Sequence, residues 1–254
     1  MMIDTHCHIH FDDYGLNPDD VISDALKEGV DKLLCVGCTL EDSKYGVEFV
    51  QTRSNCWATV GVHPHESRHY YDDLTKLNIL SELAENSKVV GIGEIGLDYH
   101  YNNSDKKSQI KVLEHQLDIA QKHDLPVIFH VREAFDDFWP VFNNFKDLRG
   151  VIHSFTGNTG VLDQILSNGL YVGLNGIMTF TKDKKQLAMA RALPLDRMVL
   201  ETDAPFLTPN PFRGTICQPK HVLVTARFLA DLRGESLESI NVCTTSNARQ
   251  LFSI

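Results

Sequence analysis

Apolar and polar positions along this chain follow two alternating periods. Short β-rich apolar runs recur at 2–8, 32–37, 56–62, 88–94, 126–131, 149–154, 169–174 and 197–203. Stretches with helical spacing lie between them: Asp19–Lys27, Asp42–Arg53, Leu74–Asn86, Asp105–His123, Ala134–Phe145, Val161–Asn168 and Lys184–Leu193. Val222–Arg233 and Leu237–Phe252 close the chain. Asn17-Pro18 supplies a helix cap followed by a proline at the first helical position. The long stretch before His123 sets Ile110, Leu113, Leu117 and Ala120 on one stripe. Strands separated by helical crossovers predict parallel pairing. Eight such units in 254 residues fit one α/β domain over residues 1–254, a (β/α)8 TIM barrel. An open doubly wound sheet is the competitor, weakened by the lack of a G-x-G-x-x-G after the first strand.

Composition changes this picture little. Hydrophobic residues make up 43% and charged residues 23%, an ordinary globular balance. The longest apolar runs are strand-sized, too short to span a bilayer. The start Met-Met-Ile-Asp-Thr-His lacks the basic and apolar segments of a secretion signal. The expectation is a cytoplasmic protein with no membrane partner and no obligate protein partner. A net charge of −10 argues against a broad basic surface for duplex nucleic acid. It does not exclude phosphate substrates, because bound divalent cations invert the local field. Six scattered cysteines fit reduced thiols. Cys35-Val-Gly-Cys38 reads as two small apolar residues at a strand end rather than as a redox pair.

The chemistry lies where the strands end. His6 and His8, Glu94, His130, His153 and Asp203 each finish an apolar β-type run. A lone histidine there is usually a satisfied polar residue; six ligand-type residues from five strands point to a metal site. Residues two apart on a strand share a face, so His6 and His8 point one way and Cys7 the other. By the same alternation Asp4 joins His6, and Glu201 joins Asp203. A buried carboxylate is costly unless paired, so Asp4 and Glu201 are candidates to orient the second nitrogen of a ligand histidine. The loops beyond the strands carry substrate-binding candidates: His63, His65, Arg132 and Arg213, with Asp98 and Tyr99 nearby. Tyr70, Tyr71, Tyr99, Tyr101, Phe155 and Phe180 sit near the same rim, as base-stacking groups or, for most of them, rim packing.

Several stretches together resemble the TatD family of metal-dependent hydrolases in the amidohydrolase superfamily, several of which are deoxyribonucleases. They are Asp4-Thr5-His6-Cys7-His8, Gly61-Val62-His63-Pro64-His65, Gly91-Ile92-Gly93-Glu94-Ile95-Gly96-Leu97-Asp98-Tyr99, His130-Val131-Arg132, His153-Ser154-Phe155-Thr156-Gly157, Glu201-Thr202-Asp203-Ala204-Pro205 and Asn247-Ala248-Arg249. The resemblance runs from residue 4 to about 252, in family order. It implies two divalent cations per subunit, Zn²⁺, Mn²⁺ or Mg²⁺. His6, His8, Glu94 and Asp203 would hold one; Glu94, His130 and His153 would hold the other, with Glu94 shared. Asp203 would carry the water proton, making Asp203 and Glu94 the catalytic pair. The chain departs from the family where Cys217-Gln218-Pro219 replaces a common Asn-Glu-Pro, so position 218 has no negative charge.

Two activities suit this ligand set. One is phosphodiester hydrolysis at DNA or RNA strand ends, as in a deoxyribonuclease. The other is ester or amide hydrolysis on the same scaffold, by an aminoacyl-tRNA deacylase or a small-molecule amidohydrolase. A non-catalytic scaffold would need lost ligands, and all six are present.

Overall fold

The computed structural model describes residues 1–101 and 103–254. The chain divides into two compact units, Met1–Cys35 with Ser154–Ile254, and Val36–His153.

In the first unit, β1 (Met2–Cys7) pairs in parallel with β2 (Val30–Val36), and β7 (Tyr171–Leu174) with β8 (Met198–Leu200). A parallel bridge between Cys7 and Ala204 joins the ends of β1 and β8. Helix α1 (Pro18–Lys27) starts where the sequence predicts, with the Asn17 side chain accepting from the Asp19 and Asp20 amides. Helices α6 (Thr159–Ser167), α7 (Lys184–Ala192), α8 (Val222–Arg233) and α9 (Leu237–Phe252) follow. Helix α9 packs on β1 and β8, burying Ile240, Leu251 and Phe252. At about 25 cal/mol per Å² of apolar surface, side chains of this size each contribute about 1.5–3 kcal/mol.

In the second unit, β3 (Cys56–Val60), β4 (Val89–Asp98), β5 (Val127–Arg132) and β6 (Gly150–Ile152) pair in parallel in chain order. Helices α2 (Leu40–Gln51), α3 (Asn78–Leu83), α4 (Lys106–His123) and α5 (Phe135–Phe142) accompany them. The predicted helix 74–86 is shorter: Leu74–Leu77 forms a 3-10 turn and only Asn78–Leu83 is α-helical. The stripe on α4 buries Leu113, Leu117 and Ala120, as expected; Ile110 is half-buried. Two glutamines of α4 are also buried. Gln116 spans the Val62 peptide, accepting from its amide at 2.7 Å and donating to its carbonyl at 3.1 Å. Gln109 does the same at Asp98, accepting from its amide at 2.7 Å and donating to its carbonyl at 2.9 Å. Gln116 fastens backbone just beyond β3 and Gln109 fastens the last residue of β4, so each satisfies backbone groups at a strand end.

Two strand bounds correct the alternation argument. Strand β8 stops at Leu200, not 203, and Asp203 has a φ of +62°. Thr202 and Asp203 therefore do not continue a pleated strand, and period-two alternation cannot assign the face of Asp203. Strand β4 runs four residues past Glu94 to Asp98, so Glu94 lies within a strand rather than at its end.

Candidate metal centre

In the first unit, His6 and His8 come from the end of β1 and Asp203 from the turn after β8. Backbone bonds hold these segments together: the Asp203 amide donates to the His6 carbonyl at 2.8 Å, and the His8 amide to the Ala204 carbonyl at 2.6 Å. The side chains converge. His6 Nε2 and His8 Nε2 lie 3.2 Å apart, with Asp203 Oδ1 at 3.6 and 3.3 Å from them. Both rings are buried, while Asp203 keeps 15% of its side chain exposed. Two imidazole nitrogens and a carboxylate oxygen aimed at one point are a donor set suited to a divalent cation.

Asp4 and Glu201 flank this cluster in the first unit. Asp4 is fully buried, and its bonds go to the Thr202 hydroxyl at 2.6 Å, the Thr202 amide at 2.9 Å and the His6 amide at 3.3 Å. It thus grips the backbone carrying His6 and Asp203, not the ring of a histidine. Burial pushes its carboxyl up to about 8, against the lowering effect of those bonds. Glu201 accepts from the Ser154 amide at 2.6 Å and from Asn175 Nδ2 at 3.4 Å. Gly173 on β7 leaves it room, since a Cβ there would meet its carboxylate.

In the second unit three imidazoles converge on one oxygen of Glu94. Oε1 lies 2.7 Å from His130 Nδ1, 2.9 Å from His153 Nε2 and 3.6 Å from His63 Nε2. Burial works to raise the Glu94 carboxyl, yet the surrounding histidines hold it well below its ordinary range. Burial drives His63 the other way, well below the usual histidine range. His63, expected among the substrate-binding residues, therefore groups with Glu94 and His130 as a possible ligand set. Cys38 Sγ lies 3.9 Å from Glu94 Oε2.

The residue that sequence reasoning undervalued is Asp98. It is fully buried, and Oδ2 meets His130 Nε2 at 2.9 Å and His65 Nε2 at 3.1 Å. Its other oxygen accepts from the His100 and Tyr101 amides at 2.9 and 3.0 Å. Burial alone would raise this carboxyl, but the bonds from His130 and His65 hold it far below the usual carboxylate range. His130 thus has both nitrogens engaged, one by Glu94 and one by Asp98. That is the arrangement by which an outer carboxylate fixes a ligand imidazole. Its sequence signal is the parity it shares with Glu94, which counts only because β4 extends to Asp98 rather than stopping at residue 94. Gly96 serves the same geometry: with φ +152°, it lets β4 approach the His130 carbonyl, which any Cβ would strike.

The remaining candidates are more peripheral. The Arg132 side chain is exposed, its guanidinium 4.7 Å from the Tyr101 ring centroid. Arg213 lies over the Phe180 ring at 4.0 Å and donates to the Thr208 carbonyl at 2.8 Å. Gln218 takes up a structural post: its amide donates to His221 Nδ1 at 3.2 Å at the head of the turn before α8. Among the described residues, no helix is long and apolar enough to cross a membrane.

A match across residues 3–253 to the family model described as TatD related DNase places this geometry in context. The chain belongs to the TatD-related DNase family. It is 34% identical to the "Uncharacterized metal-dependent hydrolase YabD" of Bacillus subtilis (strain 168), over 100% of both chains. It is 32% identical to the "3'-5' ssDNA/RNA exonuclease TatD" of Shigella flexneri serotype 5b, covering 100% of this chain and 99% of that one. Among solved structures, YJJV, a TatD homologue from Escherichia coli K12, superposes with a TM-score of 0.89 at 28% identity, over 100% of this chain and 98% of that one. The fold is the (β/α)8 barrel expected from the sequence.

Proposed function

We propose that this protein is a metal-dependent hydrolase that cleaves phosphodiester bonds at the ends of single-stranded DNA or RNA. The observation that carries the reading is the convergence of buried and part-buried imidazole and carboxylate donors, His6, His8 and Asp203 in one unit and Glu94, His130 and His153 in the other. Family membership and the exonuclease name of one relative support the substrate class. The first set would hold one divalent cation and the second set another. Bound there, such cations supply Lewis acidity and an acidified water.

The protein's own groups do the rest. Asp203, partly open to solvent, takes the water proton and returns it to the leaving oxygen. Asp4 and Thr202 hold the segment that carries it. Asp98 keeps the His130 ring turned toward Glu94. Arg132, exposed beyond the His130 strand, offers a planar pair of donors to a phosphate.

Purified protein with Mn²⁺, Mg²⁺ or Zn²⁺ is given 3′-labelled and 5′-labelled single-stranded DNA beside a panel of carboxyl esters and amides. Mononucleotide release, abolished in Asp203→Asn, is expected. Intact DNA together with ester or amide turnover would replace this reading with that of a carboxyl ester or amide hydrolase.

A further inference from the structure

Tyr101 is a large aromatic residue held in the open. It is 56% exposed, although it lies in the loop directly beyond β4. Its backbone is fixed rather than loose, because its amide donates to Asp98 Oδ1 at 3.0 Å. The same carboxylate binds His130 and His65 through its other oxygen. One buried acid therefore sets the position of Tyr101 relative to the Glu94 cluster.

Polar and cationic groups surround the ring. The Arg132 guanidinium lies 4.7 Å from its centroid. The rings of His65 and His100 approach it at 5.5 and 4.8 Å, nearly perpendicular at 84° and 89°. Among the described residues no aromatic side chain stacks face to face on Tyr101. His100 is itself held by Glu133, Nδ1 to Oε1 at 2.8 Å. Core packing does not account for a ring so exposed, and an exposed cation–π pair adds little stability. A flat ring beside a guanidinium is, by contrast, what a nucleotide uses: a π-face for its base and planar donors for its phosphate.

We propose that Tyr101 stacks the base of a nucleotide at an unpaired strand end, while Arg132 contacts a phosphate of the same strand. The inference rests on the nucleic-acid reading above and adds a subsite to it. Stacking needs a base that has left its duplex partner, and every base has a π-face. The subsite therefore selects single strands and tolerates any base.

The test uses the full chain with Mg²⁺ and fluorescein-labelled single-stranded oligonucleotides whose terminal linkages are hydrolysis-resistant phosphorothioates. In one oligonucleotide the terminal nucleotides are normal; in the other they are abasic. Fluorescence anisotropy is expected to show about tenfold tighter binding of the normal strand by the parent protein. Tyr101→Ala should bring that ratio close to one, and Tyr101→Phe should restore it, which a mere folding defect would not do. A parent ratio near one, an unchanged ratio in Tyr101→Ala, or equal weakening of both strands would overturn the proposal. Mononucleotide release is followed separately. Tyr101-dependent base preference without hydrolysis keeps the subsite and discards the nuclease, and hydrolysis without that preference does the reverse.

Discussion

Asp98 holds His130: Oδ2 and Nε2 stand 2.9 Å apart, while Nδ1 of the same ring lies 2.7 Å from Glu94. An imidazole gripped at both nitrogens is held in one orientation. Asp98→Asn removes the charge and leaves the shape. The expected result is a 10–100-fold loss in metal affinity or activity. Mn²⁺ titration of chelated protein, compared with the parent, checks it; unchanged affinity would remove Asp98 from the site.

Chelation should abolish hydrolysis, and added divalent cation should restore it. His6→Ala and His130→Ala each remove a donor from a different cluster, so each should lower the metal content of the purified protein. Elemental analysis after dialysis measures this. Full metal content in both variants would sink the assignment of two cation sites.

Thr202→Val tests how the Asp203 segment is held. The hydroxyl donates to buried Asp4 at 2.6 Å. Its loss leaves a buried carboxyl short of a donor, at a cost of about 1–3 kcal/mol. Urea unfolding should report that loss, together with weaker metal binding than in the parent. Metal affinity equal to the parent's would separate Asp4 from the positioning of Asp203.

His221 predicts an acid dependence away from the clusters. Its Nδ1 accepts from the Gln218 amide, and the Phe212 ring stacks on it at 5.1 Å. Burial, with Lys220 beside it, lowers its pKa to about 4. A depressed histidine stabilises the fold above its unfolded value near 6.5, and that stability is lost as pH falls from about 6.5 through 4. In His221→Gln the melting temperature should fall less steeply over this window. An identical slope would show that other groups govern acid unfolding.

Much of the fold was legible from periodicity. The α8 and α9 bounds agree with the helical spacing to the residue, and α1 begins at the cap that Asn17-Pro18 announced. The strand ends were harder. A strand stops where its ladder bonds stop, and Glu201-Thr202-Asp203 looks as extended in sequence as Met198-Val199-Leu200 does. Asp98, expected on the loop after the fourth strand, lies on the strand itself for the converse reason: β4 continues past its glycines because Gly96 tolerates contact with the His130 backbone.

The amino-acid sequence by itself determined the alternation of strands and helices and the kinds of donor brought to the strand ends. Both follow from local period and side-chain chemistry, which neighbours in sequence settle between themselves. Only the tertiary structure decided that three imidazoles meet at one oxygen of Glu94, that Asp4 binds backbone rather than a ring, and that Asp98 joins His130 to the Tyr101 loop. Those pairings span up to 198 positions in the chain. Burial and long-range packing select them, and no short window of sequence records either.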